Sequence, residues 1–170
     1  MWPKLYRSAD ALSRAMAWVA GGMILLIAVM QMAEIILRNL AGISLSFVWE
    51  IAAYLHVAAI FLGLSMTLRT GGHIQVTLMA SAFPRLFQIV STLGGLALSL
   101  FLSGALIRLA WSWGATGRTS GTVDNIPLVI PMAAVAFGAA MLSLQLLLRL
   151  GHILLGTRAE LDWSAGPSAE

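Results

Sequence analysis

The stretch AMAWVAGGMILLIAVMQMA, residues 15–33, runs for about 19 positions without a charged side chain. Coiled into a helix at about 1.5 Å per residue, it is long enough to cross a hydrocarbon core of about 30 Å. Lys4, Arg7 and Arg14 precede it, as basic residues precede a secretory signal. The apolar run is longer than the hydrophobic part of such a signal, and three more blocks of the same kind follow, so it reads as a retained first helix.

The other uncharged blocks are Ile51 to Leu68, Leu86 to Ile107 and Ile126 to Leu148. A transmembrane barrel would instead show blocks of about ten residues in which apolar and polar side chains alternate. Helices satisfy their own backbone inside lipid, so the expected fold is an all-α integral membrane protein with four transmembrane helices. The spans fall at residues 15–37, 47–68, 86–113 and 128–150, within a membrane domain of residues 1–156. Residues 157–170 form a small, polar tail with one aromatic, Trp163, expected on the cytoplasmic side.

Composition agrees with this solvent. Of 170 residues, 59% are hydrophobic and 10% charged, whereas soluble domains carry about a quarter charged. The net charge of +3 comes from basic residues scattered between apolar blocks. No patch could track a phosphate backbone, and nucleic acid is not an expected partner. The chain has no cysteine, which removes disulfides, thiolate metal sites and thiol chemistry.

Basic residues near helix ends set the orientation. With the N-terminus inside, Lys4, Arg7, Arg14, Arg69, Arg85, Arg149 and Arg158 fall on the cytoplasmic side. Arg38 and Arg118 fall outside, with Arg108 close to that boundary and able to snorkel outward. Both termini are therefore expected in the cytoplasm. Phe47 and Trp49 at the start of the second helix, and Trp111 and Trp113 at the end of the third, suit an aromatic belt at the outer interface. Pro127 and Pro131 fit the opening of the fourth helix, where a missing N–H costs little. Gly71 and Gly72 end the second. The segment from His73 to Met79, with Phe83-Pro84-Arg85 after it, is apolar but too short to span, and predicts a short interfacial segment or re-entrant turn between helices two and three.

Ser91, Gly95, Ser99 and Ser103 recur every four residues in the third helix, and Ala134 and Gly138 repeat the spacing in the fourth. Small residues at this interval let helix backbones approach, either within the bundle or against a partner subunit. Ionisable groups inside a membrane invite a functional reading. Glu34 and Arg38 stand four apart, the favoured order for an ion pair, and Glu50 follows across a short loop. The set reads as a fold-locking charge cluster on the outer side or as an ion or proton site. His56 and His152 are conceivable haem ligands at unequal depths, and His73 suits a hydrogen-bonding anchor. No nucleophile with its base, paired catalytic carboxylates, phosphate-cradling loop or metal triad is present in the pattern, so neither enzymatic activity nor a cofactor is expected.

The order of these residues resembles the small permease subunit (Q-type) of tripartite ATP-independent periplasmic, or TRAP, transporters. The likeness rests on Arg38-Asn39 after the first helix, Trp49-Glu50 opening the second, and Leu62-Gly63 within it. It continues with Arg69 followed by Gly72-His73-Ile74-Gln75-Val76, then Pro84-Arg85, Ile126-Pro127, Pro131 and Gly138. It covers most of residues 10–150, with Thr77 standing where the family often has an acid. The resemblance implies a multi-pass protein of the bacterial inner membrane that pairs with a large (M-type) permease subunit and works with a periplasmic (P-type) substrate-binding protein. The large subunit would carry the substrate and sodium sites, and the cargo would be a small organic acid. This chain would act as a scaffold, with Arg69 and His73 anchoring the cytoplasmic turn and Arg38 and Glu50 fixing the outer face. Two other functions fit the sequence less closely: a self-sufficient proton-coupled transporter using Glu34 or Glu50, and a haem-binding membrane anchor using His56.

Overall fold

A computed structural model describes residues 2–69, 84–122 and 124–155. Four helices carry them: α1 (Trp2–Ala41), α2 (Ser46–Arg69), α3 (Pro84–Thr116) and α4 (Val129–Leu155). All four are long and apolar enough to cross a membrane. Among the described residues the extended backbone is confined to a single bridge between Thr119 and Pro127. The predicted interfacial segment and the polar tail lie outside the described residues, as do His73 and the side chain of Arg69.

Local chemistry explains the helix ends. Pro84 opens α3, where its fixed φ suits the first turn. Pro131 sits in the first turn of α4 for the same reason, and Pro127 lies just before it, its carbonyl accepting the Ile130 N–H at 3.3 Å. At the other end of α3, Gly117 takes φ +62°, the Arg118 N–H reaches the Trp113 carbonyl at 3.1 Å, and the Gly117 N–H reaches Gly114 at 3.4 Å. This pair of bonds is a Schellman cap, and the left-handed residue it needs is the glycine. The helix α1, at 40 residues, is about 60 Å long, and starts well before the apolar run that defines its span.

The helices are not neighbours in chain order. Packing runs α1–α2–α4–α3, with α2 and α4 in the middle and α1 and α3 at the edges. Met16 and Ala20 of α1, Ala59 and Leu62 of α2 and Met141 of α4 form one cluster. Leu68, Leu96 and Leu146 form a second, joining α2, α3 and α4. Buried positions are mostly small or weakly polar, such as Ala52, Ala58, Ala139, Ser65 and Ser143, while large apolar side chains such as Trp18, Leu25, Phe101 and Leu154 face outward. That inversion of the soluble pattern is what lipid demands, because the tails solvate leucine as well as a core does and association relies on close packing.

Among the described glycines the tightest packing is at Gly138. A Cβ there would stand 2.6 Å from the carbonyl carbon and oxygen of Phe61 and 3.0 Å from the Leu62 nitrogen, so α4 lies backbone to backbone on α2. At the end of the bundle where α1 begins and α4 ends, Gln145 Nε2 donates to the Ala9 carbonyl at 3.2 Å and to Ser13 Oγ at 2.8 Å. All three residues are buried, and the clamp draws α1 across to α4. Replacing Gln145 with Leu keeps the volume but leaves Ser13 without this donor. Hydrogen bonds between membrane helices contribute about 1 kcal/mol. The expected result is a stability loss of that order, with faster amide exchange over residues 9–16 in detergent, and unchanged exchange there would refute the clamp.

Candidate functional site

The opposite end of the bundle gathers both remaining connections, residues 42–45 and 117–128. Gly42 at φ +67° turns the chain back against the last turns of α1, where the Ile43 N–H bonds the Leu37 carbonyl at 3.3 Å. This return brings the loop to Glu34. Its Oε1 accepts from Arg38 Nη2 at 2.7 Å, Arg38 Nε at 3.1 Å and Ser44 Oγ at 3.0 Å, and its Oε2 accepts the Leu45 N–H at 2.7 Å. The carboxylate is 0% exposed. It ties the end of α1 to the start of α2.

The second connection is a small hairpin. The Ser120 N–H bonds the Ile126 carbonyl at 2.9 Å and the Leu128 N–H bonds the Arg118 carbonyl at 3.1 Å. Gly121 (φ +70°) and Asn125 (φ +45°) shape its tip. Ser120 Oγ is 2.7 Å from Thr122 Oγ1 and accepts the Ile126 N–H at 3.2 Å, so the tip is braced from within. Thr122 Oγ1 then donates to Glu50 Oε2 on α2, while Tyr54, one turn along α2, donates to Glu50 Oε1 at 2.8 Å. Ser46 Oγ approaches Asp124 Oδ2 at 3.5 Å. Arg118 lies over the Trp113 ring, 5.4 Å from its centroid.

Glu34 and Arg38 therefore form the expected pair, but Glu50 serves a different loop through partners it does not share with Glu34. One connection is held by α1 through Glu34 and the other by α2 through Glu50. Tyr54 was legible as a residue four after Glu50. Thr122 was not, because a contact across 72 residues leaves no periodic signal.

In α3 the small-residue stripe divides. Ser99 and Ser103 are buried and Gly95 packs near Leu146, with its absent Cβ 3.7 Å from Leu146 Cδ2, so this part faces α4. Ser91 is exposed and donates to its own helix at the Gln88 carbonyl, 3.2 Å away. His56 is exposed on α2, and the side chain of His152 lies outside the described residues. Among the described residues no three His, Cys, Asp or Glu side chains lie together as a metal site.

These features define a polytopic helical membrane subunit in which the described intramembrane carboxylates are engaged in holding loops to helices. Comparison with protein families gives the particular kind. The chain belongs to the family described as tripartite ATP-independent periplasmic transporters, DctQ component, whose sequence model matches residues 27–156, and is thus the small permease component of a TRAP transporter. Comparison with curated proteins and with solved structures finds no match.

Proposed function

We propose that this chain is a static brace: it holds the large permease subunit in the bacterial inner membrane and presents a rigid outer platform to the periplasmic substrate-binding protein. In this reading both termini are cytoplasmic, and the end formed by residues 42–45 and 117–128 faces the periplasm. The complex takes up a small organic acid with sodium. The substrate and ion sites reside in the large subunit.

The observation that carries the reading is that a carboxylate on a helix anchors each of these two loops, Glu34 of α1 holding residues 42–45 and Glu50 of α2 holding the hairpin. Glu34 accepts four hydrogen bonds and Glu50 accepts two, and in each case the donors include a group from a connecting loop. A carboxylate engaged by loop donors in this way holds structure, whereas a coupling site must release its ligand in each cycle. A docking surface profits from such pre-organisation, since ordering a loop on binding costs affinity. Arg38, Arg118 and Asp124 stand exposed on this end and offer charge of both signs to a soluble partner. Arg69 and His73 complete the proposal at the cytoplasmic turn.

The test is reconstitution. Liposomes carrying this chain, the large subunit and the binding protein should show sodium-dependent uptake, and this chain alone should show none. Uptake by the lone chain would overturn the brace and return Glu34 and Glu50 to the role of coupling groups. A sharper variant is Glu50→Ala, which frees the hairpin while leaving the helices intact. Assembly with the large subunit should survive, and uptake at limiting binding protein should fall about tenfold, the effect expected of one central interface group. Normal uptake would show that the hairpin's fixation is irrelevant to docking.

A further inference from the structure

Between α3 and α4, toward the end that carries the paired loops, lies an open cleft of about 630 Å³. Trp111, Gly114 and Ala115 form one wall, and Val129, Ala133 and Phe137 the other. Trp111 is 80% exposed. At about 100° per residue, Arg108 projects from the flank of α3 that carries Trp111 and Ala115, on the rim of this cleft. It is exposed, and among the described residues it has no hydrogen-bond or ion-pair partner. It stands eight residues before Thr116, about 12 Å below the end of α3.

We propose that this cleft receives a transmembrane helix of the large permease subunit, and that the helix carries a carboxylate facing Arg108. The inference rests on the pairing proposed above and adds the surface and the chemistry that recognise the partner. A guanidinium flanked by exposed apolar residues on a lipid-facing helix is unfavourable alone, and an opposing acid converts that cost into a hydrogen-bonded pair. The walls suit a helix, because alanine on both sides, Ala110 and Ala115 on α3 and Ala133, Ala136 and Ala140 on α4, lets a backbone approach. The cleft runs from Ile107 to Ala115 on α3, about two turns of helix. Alanine at facing positions favours a helix over a phospholipid, because close backbone approach is the gain that small residues offer and acyl chains make no use of it.

The absence of cysteine makes the surface directly mappable. Single cysteines at Ala133 and Phe137, and at Leu25 on the exposed face of α1 as control, are labelled with a benzophenone maleimide in the complex with a cysteine-free large subunit. The expected result is photoadducts to the large subunit from Ala133→Cys and Phe137→Cys and none from Leu25→Cys. Arg108→Glu should lower recovery of the large subunit on a tag carried by this chain about tenfold, and Arg108→Lys should retain it. Adducts confined to Leu25→Cys, or full recovery with Arg108→Glu, overturn the proposal. Loss of a co-purified phospholipid with Arg108→Glu while subunit recovery stays full does so too, in favour of lipid. If Arg108→Glu alone aggregates in gel filtration, Arg108→Gln and the photoadducts decide. Failure of the unmodified chain to retain the large subunit sinks the pairing itself, whereas retention without adducts from the cleft sinks only the proposed surface.

Discussion

Gly138→Leu is expected to insert into the membrane but lose the seam between α2 and α4. The site has no room for any side chain: a Cβ would stand 2.6 Å from two atoms of the Phe61 carbonyl, which are backbone and cannot swing away. Overpacking of this kind costs about 1–3 kcal/mol for small additions, so Gly138→Ala should already lower the midpoint of thermal unfolding in detergent, and Leu should lower it further. Gly63, two residues after Phe61 in α2 and facing open space, provides the control. Exchanging that glycine for alanine in a helix interior gains up to about 1 kcal/mol in helix propensity. The two alanine variants should therefore move in opposite directions. Equal stability of the two would show that the backbones are not in contact at Gly138.

Glu34→Gln is the second large effect expected, and it isolates charge from shape. The amide has the length of the acid, but one of its two terminal atoms becomes a donor. Oε1 now faces Arg38 and Ser44, and Oε2 faces the Leu45 N–H, so either orientation sets donor against donor. Burial makes this costly, because a donor without an acceptor has no water to turn to. The variant should unfold roughly 5 °C or more below the parent, and the bond around residues 42–45 should become sensitive to limited proteolysis while the rest stays protected. Glu34→Asp keeps the charge but is one methylene too short to reach both Arg38 and Leu45, and should show the same cleavage to a lesser degree. Intact loops in Glu34→Gln would mean that Arg38 and Ser44 alone hold the connection.

Sequence reading went furthest where a single helix contains the whole signal. The four helices followed from uncharged runs of the right length, and the Glu34–Arg38 pair from spacing on one helix. The start of α1 did not, since Lys4, Arg7, Asp10 and Arg14 look foreign to a membrane, yet a helix that leaves the bilayer has no reason to stop. Asp10 and Arg14 pair at 3.0 Å on that extension. Which helices touch was also illegible. In water the core-facing side of a helix is marked by its apolar stripe, but here lipid-facing Leu25 and Phe101 are as apolar as buried Leu146 and Val48, so the stripe disappears. Gly138 was visible as a small residue, but its partner Phe61 was not. Gln145 was an amide alone in an apolar run, a signal that could have been followed to Ser13.

The neighbour order α1–α2–α4–α3 also constrains biogenesis. Each half of the chain is a hairpin, α1 with α2 and α3 with α4, and the halves meet chiefly along α2 and α4, with Gln145 joining α4 to α1. During synthesis from the N-terminus the first hairpin can therefore close before α3 has been made, and no helix must be threaded between two already joined. Joining the two halves requires the Phe61–Gly138 backbone contact, the hydrogen bond from Thr122 to Glu50 and the Gln145 clamp to α1, which lie across both ends. Until the halves join, Glu50 lacks Thr122 and Gln145 lacks Ser13, so an unjoined pair of hairpins leaves polar groups unpaired that the joined chain satisfies.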